Sequence, residues 1–134
     1  MARQISQAVE KQLPKVEGKH VYGNLYGIEV SKLSDLDWLV KVVVDGAKEG
    51  NLHILELLTR KFSDINGIPG GVSVIAIIQE SHIALHTWPE SEYATLDVYS
   101  CGSESKPEAT FKYVVSKLNP QKVKSWYADR GNEI

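Results

Sequence analysis

Four polar or reactive features interrupt the most apolar part of the chain: Ser73, the run Glu80, Ser81 and His82, His86, and Cys101. Burying a hydroxyl, an imidazole or a carboxylate in a strand costs roughly a few kcal/mol unless a partner satisfies it, so such a cluster points to a site. A serine hydroxyl attacks once its proton is taken, an imidazole gives and takes protons near neutral pH, and a thiol is either nucleophile or acid. Taken singly, each residue has an ordinary structural reading. Ser73 fits a backbone-bonded strand serine, Ser81 and His82 a polar turn, His86 a satisfied rim histidine and Cys101 a small buried hydrophobe. A Cys101 and His86 nucleophile pair is possible as acyl-transfer machinery, but it leaves Ser81 without a task.

Other chemistries find little support. One cysteine and the scattered His20, His53, His82 and His86, with no HExxH, lack metal-ligand spacing, so no metal is expected. The GIPGG stretch fits neither phosphate-loop nor dinucleotide-loop pattern. With 15 Lys and Arg against 17 Asp and Glu, the net charge of -2 offers no field that draws nucleic acid or an anionic membrane. A lone thiol fits a reducing compartment, the opening MARQISQAVEKQLPK lacks a signal-peptide core, and no apolar run reaches the roughly 18 residues of a membrane span. The expectation is a cytoplasmic protein, with neither nucleic acid nor membrane as partner.

The elements that must position these residues can be read from periodicity. The chain has 134 residues, enough for one core. Residues 1–17 are polar and aperiodic, which predicts a flexible arm before a single domain over 18–134. GKHVYGNLYGIEV reads as a strand with a possible bulge at its glycines. Ser34 is the expected N-cap of a helix ending near Gly50, with Leu36, Leu39, Val40, Val43 and Ala47 as its apolar stripe. Residues 51–60 read as a strand and KFSDINGIPGG as a loop. GVSVIAIIQE and SHIALHTW read as strands broken by the polar patch, and YATLDVYSCG alternates cleanly. SKPE predicts a capping box at Ser105 and Glu108, opening a helix with Phe111, Val114, Val115 and Leu118 inward, and QKVKSWYAD closes as a strand. The fold class is α+β, a two-layer sandwich of a mainly antiparallel sheet with two helices on one face.

The stretch GVSVIAIIQESHIALHTWPESEYATLDVYSCG resembles the active-site segment of the small prokaryotic S-adenosylmethionine decarboxylase family, whose pattern is GVS, then ESHxxxHTWPE, then YAxxDxxxCG. The resemblance implies that Ser81 attacks the Glu80 carbonyl, that the chain splits there into a β chain, 1–80, and an α chain, 81–134, and that Ser81 becomes a pyruvoyl group. This group is the only cofactor implied. It forms a Schiff base with a small-molecule amino-acid substrate and acts as an electron sink, the task pyridoxal phosphate performs elsewhere. His86 matches the processing proton acceptor, Ser73 a processing aid and Cys101 the proton donor of turnover; an unperturbed thiol, with pKa about 8.5, is mostly protonated at neutral pH. Ser81 and His86 are an odd number of residues apart, so on a straight strand they face opposite ways, and a bend or bulge is expected between them. The family implies a homodimer with active sites at the subunit interface.

Within the family, the crenarchaeal arginine decarboxylases share the ESHxxxHTWPE segment, and the GKHVYGNLYG opening and polar arm look like that branch. The loop before GVS reads Asn66, Gly67, Ile68, Pro69 and Gly70, without aromatics to stack an adenine, and Val74 is expected to narrow the pocket. These features favour arginine, converted to agmatine, over S-adenosylmethionine. A guanidinium needs a carboxylate partner, with Glu29, Glu56, Asp64 and Asp97 as candidates. A non-catalytic α+β dimeric binding module remains the reading from another class, and it requires an uncleaved chain.

Overall fold

The computed structural model describes residues 13–133. Six strands form one sheet: β1 (Gly18–Tyr26), β2 (Ile54–Lys61), β3 (Val72–Ile78), β4 (Ser81–Trp88), β5 (Tyr93–Cys101) and β6 (Lys122–Asp129). Their spatial order is β2-β3-β4-β5-β1-β6, with every neighbouring pair antiparallel. The helices are a single turn, α1 (Val30–Leu33), then α2 (Leu36–Glu49) and α3 (Pro107–Leu118). The α+β sandwich expected from the periodicity is the architecture found.

Alternation decides the layering. Val72, Val74, Ala76 and Ile78 of β3, Ile83 and Leu85 of β4, and Ala94, Leu96 and Val98 of β5 all point to one side. There they pack with Leu39, Val42, Val43 and Ala47 of α2 and Phe111, Val114 and Leu118 of α3 into one core. Gly23 lets α3 and β6 approach β1, since a Cβ there would lie 2.9 Å from the Phe111 ring and 2.7 Å from the Lys124 carbonyl oxygen. Among the described residues, no helix covers the opposite face of the sheet.

Local expectations fail at three places for identifiable reasons. Asp35, not Ser34, caps α2 by accepting the Trp38 N–H at 3.1 Å, while the Ser34 hydroxyl donates to the Val30 carbonyl and closes α1. Adjacent residues with equal capping propensity cannot be ranked by sequence. The box at Ser105 and Glu108 does not form: Ser105 is buried, accepts from Ser100 and donates to the Gly102 carbonyl, and Lys106 stands at the N-cap. The ladder is continuous through the β1 glycines, and the bulge lies in β2 between Ile54 and Glu56. Of the predicted arm, residues 1–12 lie outside the described residues; Val16 bonds to Asn132 in both directions, and Lys15 pairs with Glu133.

Candidate active site

Ser73 and His86 sit directly opposite each other on β3 and β4, and on the open face the serine Oγ lies 2.8 Å from the imidazole Nδ1. Thr87 fixes this register from the core side, accepting the Val72 N–H at 2.8 Å and donating to the Leu33 carbonyl at 2.7 Å. The pair borders a cleft of about 650 Å³ whose other walls include Phe62, Ile65, Ile68, Trp88 and Glu90. The loop over the cleft is tied down: Asp64 accepts the Gly70 N–H at 2.9 Å, and the Lys61 ammonium donates to the Gly70 carbonyl at 2.6 Å.

A second constellation lies at the β3–β4 turn. The carbonyl oxygen of Glu80 accepts two hydrogen bonds from Cys101, one from its backbone N–H and one from its thiol, each at 3.1 Å. The Glu80 carboxylate accepts the His53 backbone N–H at 3.0 Å and the His53 Nδ1–H at 2.7 Å. Burial pushes the Glu80 carboxyl up, but the two His53 hydrogen bonds outweigh it and hold the group below the usual carboxylate range. A donor pair on the carbonyl that Ser81 follows suits attack at that carbon, because charge develops on its oxygen.

Between the two constellations, Asp97 of β5 accepts from His20 at 2.6 Å and faces His82 Nε2 at 3.6 Å, with Tyr99 packed against both histidines. Thus Asp97 has partners of its own, and Asp64 is engaged in the loop.

The structure brings Ser73 to His86 and Cys101 to Glu80, but it does not bring His86 to Ser81. Pairing runs unbroken from Ser73 opposite His86 to Ile78 opposite Ser81, so the bend expected between Ser81 and His86 is absent. At about 3.3 Å per residue the two are roughly 17 Å apart along β4. Val74 does not narrow the cleft; it is fully buried in the core on the opposite face from Ser73. Nor is the cleft without aromatics, since Phe62 and Trp88 line it. Sequence reasoning missed His53 and Glu90. The signal for Glu90 was its place in HTWPE, whereas His53 meets Glu80 only through the return of the chain into β3.

A serine at a tight turn, a thiol and a serine–histidine pair gathered on one sheet of a two-layer α+β sandwich have the makings of a small enzyme. The chain belongs to the S-adenosylmethionine decarboxylase family, whose sequence model, described as S-adenosylmethionine decarboxylase, matches residues 19–131. It is 49% identical over 117 residues to the arginine decarboxylase proenzyme of Hyperthermus butylicus, covering 87% of this chain and 80% of that protein. It is 45% identical over 116 residues to the S-adenosylmethionine decarboxylase proenzyme of Pyrobaculum neutrophilum, covering 87% and 90%. The crystal structure of the adenosylmethionine decarboxylase from Aquifex aeolicus superposes with a TM-score of 0.77 at 30% identity, covering 87% of this chain and 92% of that one. The chain is therefore a decarboxylase proenzyme of the kind that serves polyamine biosynthesis.

Proposed function

We propose that this chain cleaves itself between Glu80 and Ser81 and, as a homodimer, decarboxylates arginine to agmatine. The observation that carries the cleavage is the Glu80 carbonyl oxygen held by the N–H and S–H of Cys101 at 3.1 Å each. Attack by the Ser81 Oγ forms a C–O bond at the Glu80 carbon, and Cys101 stabilises the oxyanion that results. Rupture of the C–N bond leaves an ester, with the hydroxyl proton transferred to the Ser81 nitrogen. Loss of the Ser81 α-proton then expels Glu80 as a carboxylate. Water hydrolyses the resulting enamine, through its imine tautomer, releasing ammonia and leaving residue 81 as a pyruvoyl group.

The base for the α-proton is His86, oriented by Ser73. Because His86 stands roughly 17 Å from Ser81 along its own strand, it acts on the partner's turn. Two features support a dimer through the bare face. Leu58, Ile77, Trp88 and Trp126 stay between 40% and 52% exposed on that side of the sheet, and sheets with such faces pack against one another. A two-fold axis lying between two stacked faces and running across the strands would also bring the His86 end of one copy toward the Ser81 end of the other.

The pyruvoyl group supplies the electron sink that accepts the pair released with CO₂. Cys101, freed of the scissile peptide, donates the proton that replaces the carboxyl group. Glu90, beside His86 in the cleft, offers the carboxylate that a guanidinium requires. Phe62 and Trp88 favour a second reading, S-adenosylmethionine, since they offer ring faces to stack an adenine. Intact mass of the purified chain tests cleavage: two fragments with a hydride-reducible α chain support it, and a persistent full-length mass overturns it. Release of CO₂ from carboxyl-labelled arginine against S-adenosylmethionine decides the substrate.

A further inference from the structure

His53 is engaged three times by the scissile turn and has no part in the chemistry described so far. Its carbonyl accepts the Gln79 N–H at 2.8 Å, its own N–H donates to the Glu80 carboxylate at 3.0 Å, and its ring donates to the other carboxylate oxygen at 2.7 Å. The residue is itself anchored. Leu52, immediately before it, is buried and bonds to the Ala47 carbonyl at the end of α2, and Asn51 donates to the Glu104 carbonyl. The imidazole lies at the surface, with 59% of its side chain exposed, while the Glu80 side chain is 16% exposed. The ring therefore contributes little to the core and closes over a carboxylate that is mostly shielded from water.

We propose that His53 is a positioning residue for self-cleavage, clamping the Glu80 side chain so that its carbonyl stays seated on the Cys101 N–H and S–H. The inference rests on the reading that the chain cleaves at Glu80. Cys101 holds the oxygen of the scissile unit, and His53 holds the side chain on the same α-carbon, so the peptide plane is fixed from two sides. Without the ring, the Glu80 carboxylate keeps only the backbone N–H of its two His53 donors and can swing, and misplacement by about 1 Å at a reacting centre costs up to about 10²-fold in rate.

The test follows cleavage by intact mass in freshly purified wild type, His53→Ala and His53→Asn, with and without hydroxylamine, which cuts an accumulated ester. The Asn side chain offers an N–H close to the position of Nδ1. His53→Ala is expected to cleave about ten- to a hundredfold more slowly with no acceleration by hydroxylamine, because ester formation itself is slowed. His53→Asn should recover most of the rate. Once processed, His53→Ala should turn over substrate with unchanged kcat and KM, which a general loss of structure would not permit. Wild-type rates in His53→Ala, equal slowing in both variants, or ester accumulation overturns the clamp. A wild-type chain that never cleaves is a different result, overturning the proposed function and the clamp with it.

Discussion

The two ends of the bare sheet face are built differently. At the Ser81 end, a tight turn presents one carbonyl to a donor pair, and the Cys101 and His53 donors all go to the backbone or side chain of Glu80. At the His86 end, a serine–histidine pair borders a cleft of about 650 Å³ with aromatic walls and one carboxylate, Glu90. In the proposed mechanism one end holds the bond to be broken, and the other holds the base and the space for a substrate. The straight β4 between them keeps them apart within one copy. Under the proposed mechanism, the rigid strand is the reason a second copy is invoked.

The sharpest way to break this comparison is complementation. Ser81→Ala is expected to abolish cleavage and activity, and His86→Ala to slow cleavage by about 10²–10⁴-fold. Co-expressed with distinguishable tags, the two variants should form mixed dimers in which the His86→Ala chain is cleaved at close to the wild-type rate. If that chain stays as slow as it is alone, the two ends act within one copy and the division fails. Next in size is Cys101→Ser, which retains a donor to the Glu80 carbonyl but replaces the turnover acid with a much weaker one. Cleavage should persist, while kcat of the processed enzyme falls about 10²-fold with little change in KM, read in steady-state assays.

Val74→Ala separates the face that carries chemistry from the face that carries the core. Removing buried methyl groups should lower stability by about 1–3 kcal/mol in denaturant melts while leaving KM unchanged. The smallest effect concerns pH at the turn. Glu80 is held below its ordinary value by His53 despite the opposing push of burial. The stability it contributes is present above the unfolded carboxyl pKa of about 4.3 and is lost as pH falls through the lower folded value. Thermal melts of the Ser81→Ala chain and its Glu80→Gln derivative should therefore differ at pH 7 and converge toward pH 3.

Legibility followed the physics of each feature. The β5 strand was readable because one of its faces is core and the other open, so Ala94, Leu96 and Val98 alternate with Thr95, Asp97 and Tyr99. In β3, by contrast, Ile75 and Ile77 on the open face are as apolar as Val74 and Ala76 in the core. A nearly continuous apolar run hides which side is which, and Val74 was assigned to the wrong one. The α2 cap failed by one residue for want of any difference in propensity between Ser34 and Asp35.

Residue type and spacing singled out Ser73, Glu80, Ser81, His86 and Cys101 as candidates, and the family resemblance supplied their expected roles, because a short segment carries its signature within contiguous chain. The two-layer class followed too, since periods of 2 and 3.6 are local properties. Only the tertiary structure decided that Cys101 rests on the Glu80 carbonyl, that His53 grips the same residue, that Glu90 enters the cleft and that His86 lies far from Ser81. Those facts depend on the register between strands and on where the chain returns after helix α2. Register is fixed by the summed packing of a whole face, and no short window of sequence contains that sum.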